Sequence, residues 1–149
     1  MYPKGPYVAI VTLCERVLYE KDGGISCIRL MDTIAIELAP DAPDPFPFLY
    51  QGHALFSFKS GDYVGPMTFR MEIRNPSGEL AKPSQEQLLE FRGGEHGTNS
   101  IFQIGLQVPG EGLYYFDLFL GGELATRIPL RVRVTRKKAE QMNSEKVEH

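Results

Sequence analysis

The sequence predicts an all-β chain in which two antiparallel sheets, with seven or eight strands between them, pack face to face. Three observations carry this. Met67, Phe69, Met71 and Ile73 alternate with Thr68, Arg70, Glu72 and Arg74, and Phe102, Ile104, Leu106 and Val108 alternate with Gln103, Gly105 and Gln107, the two-residue period of a half-buried strand. Punctuation by 15 Gly and 11 Pro recurs at short intervals and leaves no room for a long helix. A hydrophobic content of 42% in 149 residues, with nine Phe and seven Tyr, is enough for a single packed core.

The elements follow in chain order. Tyr7 to Tyr19 is rich in Val, Ile and Leu, EKDGG is a turn, and Ile25 to Leu38 is a second apolar run broken at Asp32. Together they read as a long hairpin of two central strands. Prolines at 40, 43, 45 and 47 forbid a helix or an inner strand, so APDAPDPFPF is an extended crossing between sheets. Leu49 to Lys59 is a third strand on which Phe56 and Phe58 share a face, SGDYVGP a connection, and residues 67–74 a fourth strand closed by the turn NPSG. SQEQLLEF fits either a helical turn or a short strand, and RGGEHGTNS reads as a mobile loop. After the strand at 102–108 and the turn PGEG comes a hairpin pivoting on Gly121 and Gly122, which tolerate the positive φ of a tight turn. On its return strand Ile128, Leu130, Val132 and Val134 face inward, while Arg127, Pro129, Arg131 and Arg133 face water. Pro129 has no N–H for a ladder and marks an edge or a bulge. The sandwich domain spans residues 1–134, and the charged segment 135–149 is a frayed helix or a disordered tail.

A net charge of −3 provides no general attraction to nucleic acid or to anionic membrane. YVAIVTLC is about eight residues long, against roughly 20 for a membrane span, and no small-residue cleavage site follows it. The expected location is the cytoplasm. With 21–24 as the turn, Cys14 faces Met31 and Cys27 faces Leu18, so the two sulfurs stand roughly 13 Å apart along the strands, beyond the reach of a disulfide. Two reduced thiols follow.

VAIVTLCERVLYEKDGGISCIRLMDTI, IRNPSGEL and PGEGLYYFDLFLGGELATRIPLRV together resemble a family of small bacterial immunoglobulin-like β-sandwich domains with no assigned function. The similarity covers most of residues 7–134. It implies the fold and no catalytic residue. Gly112, Tyr114 and Phe116 also resemble the tyrosine corner of such folds, in which the hydroxyl bonds back to nearby backbone.

The chemistry is mostly excluded. His53, His96 and His149 have no helical or finger-like spacing and there is no CxxC, so zinc is not expected. Asp22, Asp41, Asp44 and Asp62 could converge on calcium but read first as turn residues. Cys14 lies inside an apolar run, Ser100 near His96 has no third partner, and Glu86 and Glu90 form a carboxylate pair only if their segment is helical. GGEHG lacks the Lys-Ser/Thr of a phosphate loop. No catalytic residue, metal or cofactor is expected.

The expected role is therefore that of a non-enzymatic protein-interaction module acting through end loops or an edge strand, by which copies of the chain could also pair. Phe46, Phe48, Leu49 and Tyr50, with Tyr63, either form an exposed partner-binding patch or close the core as a lid. Two alternatives stand beside it. One is a ligand-binding or hydrolytic site around the His96 loop, which requires a pocket including His96. The other is phosphate or nucleic-acid contact by Arg127, Arg131 and Arg133, disfavoured by the lack of interleaved exposed aromatics.

Overall fold

Two strands are much longer than the alternation suggests, and their bends build the molecule. The computed structural model describes residues 1–43 and 48–138, and no helix occurs among them. The strands are β1 (Tyr7–Tyr19), β2 (Ile25–Leu30), β3 (Thr33–Leu38), β4 (Phe48–Arg74), β5 (Gln85–Val108), β6 (Gly112–Leu120) and β7 (Glu123–Arg136). Residues 49–59 and 67–74, expected as separate strands, are the two halves of β4. SQEQLLEF is strand, and RGGEHGTNS is no loop, since Gly97, Thr98 and Asn99 pair with Lys59, Phe58 and Ser57.

Each half of the β4–β5 ribbon belongs to a different layer. In the first layer, β2 pairs with β1, β1 with the first half of β4, and that half with the second half of β5. In the second, the first half of β5 pairs with the second half of β4, followed by β6, β7 and β3. The layers must face each other. Phe56 and Phe69 would be about 43 Å apart on a straight strand at roughly 3.3 Å per residue, yet their ring centroids are 5.0 Å apart.

The bend lies where the β4–β5 register shifts, between Lys59 and Gly61 and again between Gly61 and Val64. Gly61 has φ +57°, and a Cβ there would meet the Pro3 carbonyl oxygen and the Gly5 backbone. Gly93 and Gly94 supply positive φ on the opposing strand. Such bulged, left-handed positions bend a ribbon without cutting its ladder.

The remaining departures from the sequence reading are local. The run 25–38 is not one central strand: Arg29 takes φ 56°, the ladder with β1 ends at Leu30, and β3 leaves to pair with β7 in parallel, from Thr33 opposite Arg131 to Leu38 opposite Arg136. The sheets are thus not purely antiparallel, and β2 is an edge. Cys14 pairs with Leu30 and Cys27 with Val17, and the two thiols are close neighbours rather than the roughly 13 Å apart expected from the strand register, though both remain free. β7 continues past residue 134 to Arg136, while residues 139–149 lie outside the described chain.

Other expectations hold. Gly121 and Gly122 have φ 62° and 86° at the β6–β7 turn. Pro129 precedes the β3 ladder, which begins at Arg131, so β7 is an edge there. Tyr114 is buried and donates its hydroxyl hydrogen to the Gly110 carbonyl at 2.8 Å, the bond a tyrosine corner makes. Phe56, Phe58, Phe69, Phe91 and Phe116 fill the centre, the first four joined by edge-to-face contacts such as Phe58–Phe69 at 5.2 Å.

This packing sets an order of mutational cost. Phe56→Ala should destabilise by about 3–5 kcal/mol because it empties the ring site shared by both layers. Tyr114→Phe should destabilise by about 1 kcal/mol, the worth of one hydrogen bond. Urea unfolding of the two variants should reproduce this order, and a reversed order would contradict the assigned roles.

Candidate functional site

The interior is closed, so contact chemistry falls to edges, outer faces and ends. Of the aromatic residues expected at an end loop, Phe46 lies outside the described residues. Phe48 is half-buried at the start of β4, and Tyr50 is only 3% exposed, its hydroxyl directed at Met31 Sδ at 3.9 Å. Tyr63 bonds the Pro66 carbonyl at 2.6 Å and lays its ring edge-on to Phe91. Tyr50 therefore cannot belong to a contact patch. It is core.

The outer face of the second layer carries a charge network that the alternation only hinted at. Asp117 interrupts an apolar run, and in strand pairing it stands opposite Glu72 on one side and Arg127 on the other. Although it faces outward it is 2% exposed, because arginines cover it. Arg127 Nε and Nη2 grip its two carboxylate oxygens at 2.6 and 2.8 Å, and Arg74 lies at 3.6 Å. Arg74 and Arg70 also pair with Glu72, at 2.9 and 3.3 Å. Arg127 stacks over Tyr115 and Arg70 over Phe119, adding a cation–π contact to each pair. Asp117 raises the Arg127 pKa, chiefly by hydrogen bonding and then by charge attraction.

Arg127 is thus committed to Asp117 and unsuited to hold a phosphate. Arg131 and Arg133 of that predicted stripe are exposed as well, opposite Thr33 and Ala35 of β3.

The other candidates disperse. His96 is exposed on β5 and lines none of the described cavities. Ser100 is buried and donates to Gln87 Oε1 at 2.6 Å. His53 Nδ1 donates to the Glu15 carbonyl at 3.0 Å. Asp22 accepts from the Gly24 N–H as a turn residue, and Asp62, within β4, accepts from the Gly5 N–H of the N-terminal segment. Asp44 and His149 lie outside the described residues. Glu86 and Glu90 sit on a strand, opposite Arg70 and Pro66. Among the described residues no three His, Cys, Asp or Glu side chains converge to hold a metal. No helix among them is long and apolar enough to cross a membrane.

What remains is the β1–β2 hairpin. β2 ends the first layer, so among the described residues the outer row of its backbone groups has no strand partner. Ile28 and Leu30 on this strand are 39% and 68% exposed, and Leu18 and Tyr19 of β1 are exposed beside them. The other margins are more polar: β3 shows Thr33, Ala35 and Glu37 to solvent, and the second half of β5 shows Gln103, Gly105 and Gln107.

Fold and surface together define an all-β domain of two layers joined by shared bent strands. The chain belongs to DUF6941, a family of unknown function whose pattern matches residues 9–133. A comparison with curated proteins gives no match. Among solved structures, an immunoglobulin-like protein from Pseudomonas aeruginosa is 14% identical, with a TM-score of 0.43 over 87% of this chain and 98% of that one. A β-glucosidase from Listeria innocua, crystallised with glucose, is 13% identical with a TM-score of 0.45 over 68% of this chain. The present chain spans only 15% of that glucosidase.

Burial also fixes the alkaline behaviour. The Cys14 thiol is pushed up to about 11, first by burial and then by the neighbouring Cys27 thiol. Burial likewise raises Tyr50 and Tyr114. All three are neutral when protonated, so the folded state binds these protons more tightly than the unfolded chain. The Cys14 contribution is fully present below about pH 9 and is lost as pH rises through about 11. Melting temperature should fall steeply over that interval in wild type and less steeply in Cys14→Ala, as thermal scans across pH will show. Parallel curves for the two proteins would contradict this.

Proposed function

We propose that this chain is a non-enzymatic immunoglobulin-like domain of bacterial origin that works in the cytoplasm as a protein-interaction module. Its contact is made by the free edge of β2. The observation that carries the reading is that an unpaired edge coincides with exposed Ile28 and Leu30 and their neighbour Leu18. An added strand gains affinity from main-chain hydrogen bonds, and apolar side chains flanking the edge select the partner. Arg29, in its left-handed conformation and paired with Glu15 at 3.1 Å, limits the usable edge to Ile25–Ile28. Free Cys14 and Cys27 accord with a reducing compartment. The buried Tyr114–Gly110 bond supports the immunoglobulin-like assignment.

The partner presents an extended segment, and a second copy of this chain is one such partner. Affinity capture from the native host should recover a binding protein with wild type and with Leu88→Lys, which alters an exposed leucine on β5. Capture should fail with Ile28→Lys/Leu30→Lys, and amide exchange in the complex should slow at residues 25–28. An unchanged capture by the double variant, or protection confined to other strands, would refute the edge.

A further inference from the structure

A separate feature lies at the other side of the fold, where β3, β7 and the β5–β6 turn meet. A cavity of about 330 Å³ opens there. This is at the small end of the roughly 300–1,000 Å³ typical of small-molecule sites, so the occupant is small and not a dinucleotide-sized cofactor. Ile36, Leu38, Phe48, Val108 and Val134 make its walls apolar. Pro109 and Gly110 of the β5–β6 turn and two charged residues of opposite sign, Glu111 and Arg136, complete the lining, and the two charges are not paired with each other.

Each of these charges is held in place by backbone. Arg136 Nη1 donates to the carbonyls of Ala42, Ala39 and Pro40 at 2.8, 3.3 and 3.5 Å. Glu111 Oε2 accepts the Val134 N–H at 3.1 Å. Among the described residues, Arg136 Nε and Nη2 have no acceptor and Glu111 Oε1 has no donor. The free guanidinium edge is the one that Arg127 uses to grip the Asp117 carboxylate at 2.6 and 2.8 Å. It is a ready-made fork for a carboxylate.

We propose that this cavity binds an apolar α-amino acid, with its carboxylate on Arg136, its ammonium on Glu111 and its side chain against the apolar walls. A plain carboxylate would gain the fork but bring like charge toward Glu111. A plain amine would do the converse at Arg136. Only a compact zwitterion with an apolar body answers all three features. The site is independent of the β2 edge, since β2 and β3 stand at opposite ends of the strand order.

The test is titration calorimetry of the full chain with L-leucine and L-phenylalanine, with their amides, which lack the carboxylate charge, and with 4-methylpentanoate and 3-phenylpropionate, which lack the ammonium. At least one free amino acid should bind saturably, and roughly tenfold or more tighter than its amide or its carboxylate analogue, as a charge-assisted hydrogen bond implies. Arg136→Gln should abolish the preference over the amide, and Glu111→Gln, which keeps an acceptor for the Val134 N–H, the preference over the carboxylate. Arg131→Gln, outside the cavity, should bind as wild type. Absence of saturable binding by the wild-type chain would overturn the assignment. So would an equal weakening of all ligands by Arg136→Gln, which is the signature of a role confined to anchoring residues 39–42.

Discussion

The structure depends on the packing of Phe56 and Phe58, from the first half of one strand, against Phe69, from its second half. These residues are joined by little more than a dozen links of chain, and they meet only because β4 turns back over the core at Gly61. Everything else is arranged around that closure. β5 follows β4 through the bend, Phe102 completes the aromatic cluster against Phe56 and Phe69 at 5.8 and 5.3 Å, and the outer strands add to whichever half lies beside them. Aromatic rings suit this role because one ring fills the gap between layers and edge-to-face contacts define its orientation.

The same packing explains which parts of the fold were legible in the sequence. Alternation reports which side of a strand is wet, so the buried faces at 69–73, 104–108 and 130–132 could be read directly. Alternation carries no information about whether two runs are separate strands or one strand that bends, since Gly and Pro mark both cases. SGDYVGP and RGGEHG thus read as connections although they pair with each other through Gly61 opposite Gly94 and Val64 opposite Arg92. The parallel β3–β7 pair was hidden for another reason. Thr33, Ala35 and Glu37 outside and Ile34, Ile36 and Leu38 inside describe an ordinary one-sided strand, and the choice of neighbour is made by the interruption of the strand at Met31 and Asp32.

Site residues were less legible, because their roles depend on cross-strand neighbours. Tyr50 sits among prolines and aromatics that look like a surface loop, yet strand pairing opposite Leu106 turns it inward. Arg127 belongs to a basic stripe by spacing, but only the register of β6 against β7 places Asp117 opposite it. Glu111 and Arg136 are separated by two strands' worth of chain and carry no motif. They share a cavity because β7 runs back past the β5–β6 turn, which no local pattern shows. The sandwich uses its interior for stability and leaves recognition to its margins, with an apolar edge on one side and a charged, apolar-walled cavity on the other.

The closure of β4 on itself is most directly tested by proton–proton Overhauser contacts in protein carrying selectively labelled phenylalanine. The account predicts cross-peaks from the Phe69 ring to those of Phe56, Phe58 and Phe102, lost singly when each is replaced by leucine. Finding that Phe69 contacts none of these rings in the folded monomer would contradict it.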